Sequence, residues 1–146
     1  MKRRRLAREL SLQALYSIDI AHEGLEKILL DIKADKDLDA ETWEYMQRLS
    51  AVVVSRRQEL DDLIQKQCDN WELDRVAVLD KNILRMAIAE ILFFEDIPPK
   101  VSIDEAIELA KKFSTDKSGQ FVNGILDPIA FKDTKKETTA GESHGV

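Results

Sequence analysis

Apolar residues recur every three or four positions through almost the whole of this chain, which most strongly limits its possible folds. Only 5 Gly and 3 Pro interrupt the pattern in 146 residues. An all-β or dinucleotide-binding architecture would need more turns. Leu6, Ala7, Leu10, Ala14 and Ile18 predict a first helix over about residues 4–21. Gly24 breaks it, and Leu25, Ile28, Leu29 and Ile32 predict a second, short helix. Asp31 to Asp39 reads as a charged loop. A long helix over roughly 40–69 should point Trp43, Met46, Leu49, Val53, Leu60, Leu63 and Ile64 inward. Val52-Val53-Val54 could pass for a strand, but so short a strand would have no partner.

Asn70 and Asp74 are candidate caps around a short connection, Trp71 to Leu79. The helix that follows, from about Asp80, is apolar over much of its circumference: Ile83, Ala87 and Ile91 form one line, and Leu84, Ile88 and Leu92 the next. Such a helix is a central one, packed on several sides. Ile97-Pro98-Pro99 ends it. Ser102-Ile103-Asp104-Glu105 has the spacing of a capping box and would open the next helix, with Ile103, Ala106, Ile107, Ala110 and Phe113 inward and Glu108 paired to Lys112. Ser114 to Gly119 reads as a polar loop, and Phe121, Val122, Ile125, Leu126 and Ile129 as a last helix. The expectation is an all-α fold of six or seven helices, one domain over 1–131, and a disordered tail over 132–146.

Composition narrows the chemistry. The chain is 44% hydrophobic, enough for a sizeable core, yet no apolar run approaches the roughly 18 residues of a membrane span. Leu6 to Leu15 is broken by Arg8, Glu9 and Gln13, so it is not the apolar part of a signal peptide. Cys68 has no second cysteine to pair with, and His22 and His144 are the only histidines. A disulfide, a cysteine zinc site and acid–base catalysis are therefore hard to assemble, and no cofactor motif is recognisable. The expected setting is the reducing cytoplasm.

Charge is distributed unevenly. The net charge is −6, but residues 1–20 set Lys2, Arg3, Arg4, Arg5 and Arg8 against Glu9 and Asp19, a local +3. An acidic body with a basic arm attracts a polyanion at one end and repels it elsewhere. Positive charge at a helix start opposes the macrodipole, so the cluster is not there for helix stability. At 100° per residue, Arg5, Arg8, Glu9, Leu12 and Tyr16 fall away from the Leu10–Ala14–Ile18 stripe, as a contact patch would. If the helix is instead sandwiched, Leu12 and Tyr16 are core. Farther on, Gly124 inside a helix suggests close approach of another backbone. Asn123 could read a base edge or cap a loop, with Lys117, Ser118 and Gln120 as nearby donors. Asp80 suits a helix start, and Glu90, among apolar residues, should pair with an arginine such as Arg75 or Arg85.

Several segments together resemble the bacterial transcription antitermination factor NusB family. They are Ala7-Arg8-Glu9 with Gln13-Ala14-Leu15-Tyr16; Asn82-Ile83-Leu84-Arg85; Ile97-Pro98-Pro99-Lys100-Val101; Asp104 to Phe113; and Phe121-Val122-Asn123-Gly124-Ile125-Leu126-Asp127. The resemblance runs from about Arg3 to Ile129, weakest over 22–68. It implies two three-helix bundles sharing one core and no enzymatic activity. It implies pairing with NusE, a small-subunit ribosomal protein, binding of the single-stranded boxA element of ribosomal RNA transcripts, and recruitment to the elongating RNA polymerase. Carried over by position, Arg4, Arg5 and Arg8, with Arg3 beside them, fall in an RNA-binding arm, and Gln13 matches a polar position near it. Lys117, Gln120, Phe121 and Asn123 flank the RNA site. Tyr16 and Asp80 fall where the family docks NusE, and Leu12 lies beside Tyr16.

Two other classes compete with an RNA-binding adaptor: a protein-binding helical module or homodimer that masks its arm, and an accessory domain of an RNA-modifying enzyme. The chain lacks a cofactor-binding half, which weighs against the last. Alone, it is expected as a monomer or homodimer.

Overall fold

The computed structural model describes residues 2–68 and 73–133, and these contain seven α-helices and no strand. The first is α1, Lys2–Ala21. His22 ends it in the left-handed region (φ 58°), its N–H still bonded to the Ile18 carbonyl at 3.0 Å. Next is α2, Leu25–Asp35, which continues through half of the expected charged loop and buries Ile28, Leu29 and Ile32.

The long helix expected over 40–69 is two helices, α3 (Ala40–Ser55) and α4 (Arg57–Gln67). Asp39 caps α3, its side chain accepting from the Thr42 N–H at 2.8 Å. The break falls at Arg56 (φ −108°, ψ 18°), within the polar run Ser55 to Glu59. That run has no apolar side chain to hold a straight helix against the core. After the turn, Leu60 and Ile64 face inward and are fully buried.

A short 3-10 turn, Leu73–Arg75, leads into α5, Val78–Phe93, in which every residue from Asn82 to Glu90 is buried. Then α6, Pro99–Phe113, opens with proline in its first turn, where the missing N–H leaves no bond unmade. The expected capping box is not one. Ser102 and Glu105 lie inside α6 and direct their side chains at other helices, so the spacing marks tertiary contacts. Last is α7, Asp116–Pro128, capped by Thr115, whose hydroxyl accepts from the Ser118 N–H at 3.0 Å. The polar loop thus shrinks to Ser114-Thr115. A π-helical turn, Ile129–Asp133, follows. The expected disordered tail overlaps this turn at 132–133; its residues 134–146 lie outside the described residues.

Helices α1, α2 and α3 pack as one bundle and α5, α6 and α7 as a second; α1 and α3 also pack on α5, while α4 bridges to α5 and α7. The two bundles share one core, in which Met46, Leu49, Ile83, Leu84, Ile88 and Leu126 have no exposed surface. Gly124 is not a close-approach site, for a Cβ there would meet nothing within 4 Å. The tight position is Gly119, where a Cβ would touch Ile107 and Lys111 at 3.5 Å. No helix among the described residues is long and apolar enough to cross a membrane.

Candidate functional site

The basic end of α1 rests on a buried polar cluster. Glu90, 2% exposed, accepts from Arg8 Nε at 2.7 Å, the Tyr45 hydroxyl at 2.5 Å and the Ser102 hydroxyl at 2.8 Å. Four helices, α1, α3, α5 and α6, therefore meet at one carboxylate. Burial and the adjacent Glu90 push the Tyr45 phenol well up. The expected pairing of Glu90 with Arg75 or Arg85 is thereby corrected. Arg85 lies five residues earlier on α5, about 140° round the helix. It bonds instead to Asp61 and Asp19.

Arg8 was expected on the outward face, yet it is 4% exposed, and Leu12 is 2% exposed. The reason is two-sided packing: α3 and α5 both lie on α1. The exposed line of α1 runs instead through Leu6, Gln13, Tyr16 and Ile20. Leu12 is core, as the sandwiched alternative has it, and Tyr16, 39% exposed, is surface.

The other arm arginines also meet carboxylates. Arg3 bonds Asp39 at 3.1 Å and Glu41 at 3.0 Å. Arg4 bonds Asp96 at 2.9 Å and stacks over the Tyr45 ring, 4.9 Å from its centroid. Arg5 grips Glu105 with two nitrogens, at 3.1 and 2.7 Å, and Arg8 approaches the same carboxylate at 3.5 Å. Four guanidiniums thus face five carboxylates. The Arg5 hydrogen bonds hold the Glu105 carboxyl below its ordinary range. A carboxyl depressed in the fold stabilises it fully above the unfolded pKa of about 4.3, and that stabilisation is lost as pH falls through the folded value. Thermal melts followed by circular dichroism should therefore show the midpoint dropping below about pH 4, with a shallower drop in Glu105→Gln.

Beside the arm, α1 forms one wall of a cleft of about 440 Å³. Leu6, Gln13 and Tyr16 line it from α1, Leu79 from α5, and Lys112 and Phe113 from α6. Buried Leu12 forms part of its floor. Leu6, Tyr16 and Phe113 are each about two-fifths exposed. Lys112 spans to Glu9 at 2.8 Å rather than to Glu108. Asp80, next to Leu79, is 7% exposed. One of its oxygens accepts from the Ser118 hydroxyl at 3.1 Å, and the other is buried with no partner among the described residues.

On α7, Lys117, Gln120 and Asn123 are exposed at three-residue spacing, so they share a face, while Phe121 is half-buried. No hydrogen bond or ion pair among the described residues joins Lys117, Gln120 or Asn123 to the arm. The two regions are linked through α6, which packs on α7 and bonds α1 through Glu105 and Lys112. Sequence reasoning missed Tyr45, Asp96 and Glu105 as supports of the arm. Their signal is weak, because each lies far along the chain from the arginine it holds.

Fold and site together define an all-helical binding scaffold, with a guanidinium-rich end and an apolar cleft on the same helix. The chain belongs to the NusB family, which its residues 5–131 match. It is 47% identical over 125 residues to the transcription antitermination protein NusB of Chloroherpeton thalassium, an alignment covering 85% of this chain and 59% of that longer protein. The solved T. maritima NusB is 42% identical with a TM-score of 0.85, covering 92% of this chain and 94% of that one. A crystal structure of the antitermination factors NusB and NusE in complex with dsRNA contains a chain 28% identical, TM-score 0.81, covering 89% of this chain and 97% of that one.

Proposed function

We propose that this chain is an RNA-binding antitermination factor that, together with NusE, holds the boxA element of nascent ribosomal RNA transcripts and joins the elongating RNA polymerase in the cytoplasm. It works by binding alone, with no bond made or broken. The observation that carries this reading is the exposure of Arg3 and Arg5, with Arg4 half-buried, on the helix that also walls the apolar cleft. A solved relative in this fold is bound to NusE and RNA, which supports it.

In this reading Arg3, Arg4 and Arg5 exchange their carboxylate partners for RNA phosphates. Arg8 serves from below by fixing the helix that presents them. Gln13 lies on the exposed line of α1 that walls the cleft, beyond the arm, and Lys117, Gln120, Phe121 and Asn123 supply a second RNA-facing surface on α7. NusE occupies the cleft against Tyr16, which offers a ring and a hydroxyl to an interface centre. Leu12 supports that surface from the core. The unpartnered Asp80 oxygen is an acceptor for a donor from the partner, since a buried unpaired oxygen is costly until one arrives.

Because the arm is neutralised within the chain, RNA affinity without NusE should be modest, and a basic partner should raise it. Fluorescence anisotropy with labelled boxA RNA tests this: tighter binding with NusE is expected, and equal affinity with and without it would refute the coupling. Replacing Arg4 and Arg5 together by Glu should lower RNA affinity about tenfold or more and reduce the salt slope by about 1.4. Tyr16→Asp should instead reduce NusE capture in a pull-down and leave the salt slope of the chain alone unchanged.

A further inference from the structure

Arg48, on α3, is an exposed guanidinium lying 3.8 Å from the centroid of the Phe94 ring. Phe94 is only 1% exposed and meets Tyr45 edge to face, centroids 5.5 Å apart. Tyr45 in turn carries Arg4 on its ring. Arg4 and Arg48 therefore cap two rings of one aromatic pair, and both stabilise the charged form of Asp96, which Arg4 bonds directly. Unlike Arg3, Arg4, Arg5 and Arg8, Arg48 makes no ion pair with a carboxylate among the described residues. The arm arginines are already outnumbered by their carboxylates, so an RNA strand meets little uncompensated positive charge there. Arg48 supplies it one step beyond Arg4.

We propose that Arg48, seated on Phe94 beside Arg4, is an additional RNA contact that extends the arm's track onto α3. This rests on the RNA-binding reading above. The Phe94 ring covers one face of the guanidinium and holds it flat, leaving its outer face for an unpaired base and its edge N–H groups for a backbone phosphate. Because Arg48 has no ion-paired carboxylate to displace among the described residues, more of its phosphate attraction is available for binding than that of Arg3, Arg4 or Arg5. The ligand is single-stranded RNA, since a duplex would not offer an unstacked base.

The test uses the full chain and a fluorescein-labelled single-stranded RNA carrying boxA, read by anisotropy across a salt series. Arg48→Gln should weaken binding about fivefold and flatten the log K against log salt slope by about 0.7. Arg48→Lys should keep the slope but lose about threefold in affinity, because an ammonium cannot stack as a planar fork does. Losing the stack on Phe94 should lower the circular dichroism melt of Arg48→Gln by only about a few degrees, so both variants stay folded at the assay temperature. If Arg48→Gln binds with parental affinity and slope while Arg4→Gln is weakened, the proposal is overturned and RNA binding by the arm stands. If the parent itself does not bind the RNA with or without NusE, both readings fall. Equal loss in the Gln and Lys variants with no change in slope would also overturn the proposal, because the side chain would then act through packing alone.

Discussion

Arg8→Ala should be among the most damaging single changes in the molecule, costing about 3–5 kcal/mol and lowering the melting midpoint by on the order of 10 °C. Arg8 is 4% exposed and, among the described residues, gives Glu90 its only cationic hydrogen bond, at 2.7 Å. Without it, a carboxylate 2% exposed keeps only two hydroxyl donors, from Tyr45 and Ser102. A buried charge stripped of its counter-charge is far costlier than a buried pair replaced whole. The check is internal. Arg8→Met combined with Glu90→Gln should recover much of the loss, because no uncompensated charge remains; if the double variant is no better than the single one, the penalty lies in packing. The same experiment separates a structural Arg8 from a phosphate contact. Loss of RNA binding by Arg8→Ala that tracks unfolding and disappears in the restabilised double variant assigns it to support of the arm.

The second large effect is expected at Arg85, 2% exposed. Its Nε and a terminal nitrogen bond Asp61 at 2.6 and 3.1 Å, and its other terminal nitrogen reaches Asp19 at 3.2 Å and Asn82 at 3.0 Å. It therefore ties α5 to α4 and to the C-terminal part of α1. Arg85→Ala should cost about 3–5 kcal/mol, because among the described residues Asp61 is left with only Arg57, at 4.0 Å, and Asp19 with Arg57 at 2.8 Å and the Asn82 amide at 3.1 Å. The loss should be uneven. Helix α4 buries only Leu60 and Ile64, so it depends more than its neighbours on this anchor. Amide hydrogen exchange should show α4 losing protection before α3 or α6. Uniform loss across all helices would contradict that.

The helices themselves were legible because their apolar spacing is local: Leu84 and Ile88 mark a helix buried on several sides, and α5 is that helix. Other features depend on partners distant in sequence. Arg8 and Glu90 are 82 residues apart, and a charge run cannot declare that one of its members is buried. Ser102 and Glu105 mimic a capping box by spacing, but their side chains serve Glu90 and Arg5 on neighbouring helices. Arg56 breaks a helix inside a run of good helix formers, because burying Leu60 and Ile64 requires a change of direction. At the site, periodicity leaves α1 open to one buried side or two; the fold has two, which makes Leu12 core and buries Arg8, while Tyr16 stays exposed.

Clamping α1 on two sides makes it a ruler. Twelve residues separate Arg4 from Tyr16, so the helical rise holds them about 18 Å apart along a straight rod. A hinge between them would let each end find its ligand separately and would charge the ternary assembly the entropy of aligning them. Under the proposed function that alignment is complete before either ligand arrives, and the spacing of the two binding positions is set by the helical rise.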